Sequence, residues 1–184
     1  MNPRDILAIE GEWQDNLRHT ETVASALRFL HEVSGIEFVH RRAPTREAFL
    51  QYLEWGATEK FRILYLCGHG YEGGLELGSK HDGTVTLEML EDTLRGKLGR
   101  EGIVVHFGTC SFMKAGMPAL RRFKDATRAR LVSGYTSTVD FVDSMLLDMA
   151  YFNFLQRKGS FDNTEAFLNG SHSKLADALG FVVV

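Results

Sequence analysis

Short apolar runs alternate along this chain with stretches whose apolar residues recur every three or four positions. That alternation restricts the fold to a mostly parallel β-sheet with helices on both faces, because parallel strands need crossover connections and helices supply them. The most apolar run, Phe61 to Leu66, suits a central strand buried on both faces. Further strands are expected over Asp5 to Ile9, Ile36 to His40, Ile103 to Phe107, Arg130 to Tyr135 and the terminal Phe181-Val182-Val183-Val184.

Between these runs the periodicity is helical. Val23, Ala26, Leu27, Leu30 and Val33 form one stripe, closed by Gly35. Thr45 caps a second helix carrying Phe49, Leu50 and Leu53 and ending near Gly56. Thr86 opens a third with Leu87, Leu90, Leu94 and Leu98, and Pro118 fits the first turn of a fourth. Val142, Met145, Leu146, Met149 and Phe152 mark a long helix that stops before Gly159, and shorter helices follow from Thr164 and around Leu175. Leu75-Glu76-Leu77 and Thr84-Val85 flank Gly78, Asp82 and Gly83, which predicts a small β-hairpin. The expectation is a single α/β domain over residues 1–184, with about six strands in the main sheet.

The 184 residues carry a formal net charge of -3, so nothing gives the chain a broadly basic surface for nucleic acid. No apolar run reaches membrane-spanning length, and Asp5 and Glu10 argue against a secretory leader. Two cysteines, Cys67 and Cys110, lie in apolar strand surroundings and make no disulfide framework. The expectation is a cytoplasmic protein with reduced thiols, no cofactor and no metal.

Two strand runs end in reactive residues: Leu64-Tyr65-Leu66-Cys67-Gly68-His69-Gly70, and Val104-Val105-His106-Phe107-Gly108-Thr109-Cys110. Neighbouring parallel strands would bring His69 and Cys110 to one sheet edge, where open α/β sheets place ligands. A thiol nucleophile needs a base that lowers its pKa and later protonates the leaving group, and imidazole does both near neutral pH. The backbone amides of Gly70 and Cys110 are then candidates for an oxyanion hole. Other pairings are weaker. His106 lies about 13 Å of strand rise from Cys110, and Cys67 about 7 Å behind His69. A phosphatase-type loop would want arginine six positions after the cysteine, where Gly116 stands.

The ordered motifs resemble the CHAT branch of the caspase-like (clan CD) cysteine peptidases. The matching segments are the His69-Gly70 strand end, the Leu75-Glu76-Leu77 hairpin, Val85-Thr86-Leu87 at a helix start, the Cys110 strand end, Val139-Asp140, and a long helix with Tyr151-Phe152 before Gly159. The resemblance spans roughly residues 60 to 160. It implies a three-layer caspase-like sandwich with His69 as general base and acid and Cys110 as nucleophile, working as a dyad on a protein or peptide substrate. It also implies a regulated setting such as bacterial antiviral defence, with a possible activating partner protein. Two features depart from the family pattern: Ser137-Thr138 replaces an aromatic residue before Val139-Asp140, and the helical-repeat domain that usually accompanies the family does not occur in these residues. No long cleavable linker follows Cys110.

Several clan members hold a basic P1 side chain with carboxylates, which makes Asp140 and Asp143 candidates for binding Lys or Arg. Both also suit the start of a helix, Asp140 as cap and Asp143 in the first turn. Two other readings remain. A thiol α/β-hydrolase would order its triad Cys110, Asp140, His172, although Phe112 occupies a position where the nucleophile elbow wants glycine. A caspase-like scaffold that recruits partners without catalysis is the other.

Overall fold

The computed structural model describes residues 6–14, 18, 21–59, 61–78, 83–99, 102–157 and 160–184. Asp5, Asp82 and Gly159, expected at a strand start, a turn and a helix stop, lie outside the described residues. The main sheet has six strands: β1 (Ile6–Glu10), β2 (Phe38–Arg42), β3 (Ile63–Cys67), β7 (Val104–Gly108), β8 (Leu131–Tyr135) and β9 (Phe181–Val183). Their spatial order is β2-β1-β3-β7-β8-β9. Five strands are parallel, and β9 returns antiparallel beside β8.

Side chains alternate across this sheet, and each face collects its own core. Leu7, Ile9, Leu64, Leu66, Val105 and Phe107 face one way, against α2 (Arg46–Thr58), α3 (Leu87–Leu94) and α4 (Met117–Thr127). Ile6, Ala8, Ile63, Tyr65, Cys67 and Val104 face the other, against α1 (Ala24–Ser34), α5 (Phe141–Leu155) and α7 (Ser173–Leu179), while α6 (Glu165–Leu168) lies before α7. The result is the three-layer α/β sandwich expected from the alternation. Local chemistry sets the helix ends. Thr45 Oγ1 accepts from the Ala48 amide and Thr86 Oγ1 from the Met89 amide, and Gly35 closes α1 in the left-handed conformation. Among the described residues no helix is long and apolar enough to cross a membrane.

Two expectations change. The small hairpin is a three-stranded antiparallel sheet, β4 (His69–Tyr71), β5 (Gly74–Glu76) and β6 (Thr84–Thr86). His69 therefore opens β4 instead of ending β3, because Gly68, at φ 152°, turns the chain out of the main sheet. The second change concerns α5. Val142 and Leu146, expected inward, are more than half exposed, and so is Val33 on α1. The buried face of α5 keeps the expected Met149 and Phe152 and adds Ser144, Leu147, Asp148, Tyr151 and Leu155. On a helix apolar on nearly all sides, an apolar stripe does not fix which face is buried.

Asp148 explains why polar residues face the sheet there. Its carboxylate is 1% exposed and accepts from Tyr65 Oη at 2.6 Å, from His106 Nε2 at 2.7 Å and from Tyr135 Oη. Because an ionised carboxylate only accepts, Nε2 carries the proton when the ring is neutral, and His106 Nδ1 completes the network by accepting from Ser133 Oγ at 2.9 Å. Burial, with the Asp148 charge beside them, pushes the Tyr65 and Tyr135 hydroxyls well above the ordinary tyrosine range. The network ties β3, β7 and β8 to α5, so the strands that lead to His69 and Cys110 are locked together from behind.

Candidate active site

β3 and β7 are parallel neighbours with Cys67 opposite Gly108, so His69 and Cys110 each follow two residues later at the same edge of the sheet. The two segments touch just beyond their strands. A methyl group on Gly70 would lie 2.3 Å from the Cys110 carbonyl oxygen, 2.7 Å from Thr109 Cβ and 2.9 Å from the Cys110 amide nitrogen. Only glycine allows this approach. The sequence assigned Gly70 to contact with a substrate carbonyl, and the structure adds an internal reason for the residue.

Cys110 sits on a tight turn. Ser111 follows with φ 55°, a left-handed conformation uncommon outside glycine, and its amide donates to the Ser137 carbonyl at 2.9 Å. A 3-10 turn over Phe112–Ala115 comes next, with Phe112 stacked on Phe107 at 3.8 Å between centroids. That stacking uses Phe112 as a core anchor. Among the described residues the Cys110 amide donates to no group, so it stands available to an incoming oxygen.

The imidazole and the thiol have different partners in this arrangement. His69 is exposed, and its Nε2 bonds the backbone carbonyl of Trp13. A carbonyl only accepts, so Nε2 carries the proton and the neutral ring keeps its lone pair on Nδ1. Cys110 Sγ accepts from the Val139 amide at 3.4 Å and donates to the Val139 carbonyl at 3.7 Å. No hydrogen bond joins imidazole to sulfur here. The two groups are instead linked around a rim: the Trp13 ring meets His69 edge-on at 5.5 Å and Phe141 at 5.2 Å, and Phe141 follows Val139-Asp140.

Trp13 was not singled out by the sequence, nor was the group that holds it. Glu10, at the end of β1, is fully buried. Its carboxylate accepts from Trp13 Nε1 at 2.6 Å, Thr22 Oγ1 at 2.6 Å, the Val23 amide at 2.9 Å and His40 Nε2 at 2.6 Å. Burial alone would raise the carboxyl pKa. The hydrogen bonds, that from His40 first, outweigh it and hold the group below its usual range. One signal was present in the sequence: a lone carboxylate closing a strand of four buried apolar residues needs a partner.

The remaining candidates fall as follows. Asp140 caps α5, with Oδ1 accepting from the Val142 amide at 2.8 Å and the Asp143 amide at 3.1 Å. Both Asp140 and Asp143 are exposed at the helix start, next to the Val139 that holds the sulfur. Cys67 is buried, and its thiol is pushed well above the ordinary range by desolvation and then by the Glu10 and Asp148 charges, so it packs and does not react. The triad Cys110, Asp140, His172 is not assembled, which corrects the α/β-hydrolase alternative. His172 lines a hollow with Phe29, Val33, Ser34, Phe154 and Phe167, beside the C-terminal end of α1 that feeds the start of β2. That is the opposite edge of a parallel sheet from Cys110. Among the described residues no three His, Cys, Asp or Glu side chains group as metal ligands.

The architecture has a solved counterpart. The crystal structure of the Drosophila initiator caspase Dronc matches 98% of this chain and 78% of its own, with a TM-score of 0.57 and 11% sequence identity. At that identity the likeness establishes the caspase-like fold and nothing finer. No curated protein sequence matches. By its sequence, across residues 4–184, the chain belongs to the family described as a family of unknown function, DUF6642.

Proposed function

We propose that the chain is a caspase-like cysteine endopeptidase in which Cys110 is the nucleophile and His69 the general base and acid. The observation that carries this reading is the packing of Gly70 against the Cys110 backbone at the carboxyl edge of β3 and β7. In the proposed reaction, Sγ turns from Val139 toward His69, and Nδ1 takes its proton. The thiolate attacks the scissile carbonyl, and the Cys110 and Gly70 amides receive the oxyanion. His69 then protonates the departing amine, and a water deprotonated by His69 hydrolyses the thioester. The Trp13 carbonyl holds Nε2–H throughout.

The substrate is proposed to be a protein cut after Lys or Arg. The second oxygen of Asp140 bonds no group among the described residues, and with Asp143 it offers negative charge beside the sulfur. The CHAT-type assignment rests on the motif series from His69-Gly70 to Tyr151-Phe152. The sulfur's hold on Val139 in place of the imidazole supports a regulated enzyme that a partner switches on, in a defence or signalling system.

The test is exposure to a peptidyl chloromethyl ketone with arginine at P1, followed by peptide mapping. Adduct at Cys110 that is lost in His69→Ala is the expected result. Adduct at Cys67, or equal modification without His69, contradicts it. A reagent with aspartate at P1 should react more slowly.

A further inference from the structure

Most of the bonds to the Glu10 carboxylate come from residues after β1, Trp13 among them. From β2 come His40 and, with Nε 4.0 Å away, Arg42. Cys67 is its register neighbour on β3. Thr22, the Val23 amide and the Trp13 indole come from the segment after β1. A buried carboxylate with four donors is costly to disturb, so whatever it holds is held rigidly. What it holds nearest His69 is Trp13, whose ring meets both His69 and Phe141 edge-on and whose carbonyl receives His69 Nε2.

We propose that Glu10 and Trp13 form a positioning pair for His69: the carboxylate fixes the indole, and the residue carrying the indole presents the carbonyl that selects the Nε2–H tautomer. Nδ1 is then the nitrogen offered to Cys110. This deepens the peptidase reading and rests on it. Neither side chain touches the reacting atoms, and both act through His69. A residue serving stability alone would have no reason to govern which imidazole nitrogen carries the proton.

Trp13→Phe is the direct test, since it keeps an aromatic ring and the backbone carbonyl and removes the indole N–H that Glu10 accepts from. Glu10→Gln is the second variant, keeping an acceptor for the indole while losing the charge. Two readouts are needed: the tautomer of His69 from imidazole 15N shifts, and the rate of Cys110 alkylation by iodoacetamide at pH 6.5. The wild type should show Nε2–H. Both variants should show mixed tautomers and alkylation slowed about tenfold, as expected when a catalytic group loses its alignment. Unchanged tautomer and rate in Trp13→Phe overturns the positioning pair. His69→Ala separates this failure from that of the underlying reading. If His69→Ala slows alkylation while Trp13→Phe does not, the dyad stands and the pair falls. If His69→Ala alkylates at the wild-type rate, both fall.

Discussion

Replacing Asp148 by alanine should be among the most damaging single changes in this chain, and the structure allows the size to be worked out. Three buried donors, Tyr65 Oη, His106 Nε2 and Tyr135 Oη, converge on the carboxylate. Each donor left without an acceptor costs about 1–3 kcal/mol, and the void beneath α5 adds to this. Tyr135 retains its bond to the Ser144 carbonyl at 3.0 Å, which spares part of that cost. A net loss of about 4 kcal/mol follows, against a typical total stability of about 5–15 kcal/mol. For a chain of this size that lowers the thermal midpoint by about 8–16 °C. Urea titration of wild type and Asp148→Ala, with Tyr65→Phe as a single-donor control, measures it. Tyr65→Phe should cost less than half as much, because Asp148 keeps two donors. A loss below about 1 kcal/mol in Asp148→Ala would refute the view that this carboxylate organises the core.

Two further outcomes are expected. Gly70→Ala should abolish Cys110 modification by the arginyl reagent, since its methyl group would overlap the Cys110 carbonyl oxygen and push the two segments apart, whereas Gly35→Ala, where nothing lies nearby, should leave modification intact. The Glu10 carboxyl sits below its ordinary value of 4.5 in the folded state, so its stabilisation is complete above about pH 4.5 and is lost as pH falls through the lower folded value; Glu10→Gln should flatten that part of the stability curve measured by urea titration.

The layered sheet was legible because fully buried parallel strands are runs of apolar residues, and the helices between them carry threonine caps and glycine stops that act locally. Pairing of β3 with β7 was inferable for the same reason, and with it the arrival of the His69 and Cys110 segments at one edge of the sheet. The face of α5 was not legible. Its inward residues include Ser144 and Asp148, whose partners come from strands far away in sequence, so an apolar stripe pointed to Val142 and Leu146 instead. Trp13 was missed because its contribution is a backbone carbonyl, which every residue possesses. Asp140 shows a different difficulty, since one carboxylate can cap a helix with one oxygen and offer the other to a substrate.

The central claim is that the His69 imidazole activates the Cys110 thiol, and the pH dependence of Cys110 alkylation measures this most directly. With iodoacetamide and mass-spectrometric mapping, the wild type should react well below pH 8, and His69→Ala should react only as an ordinary thiol ionises, near pH 8.5 or about that value. Identical profiles for the two proteins would contradict it.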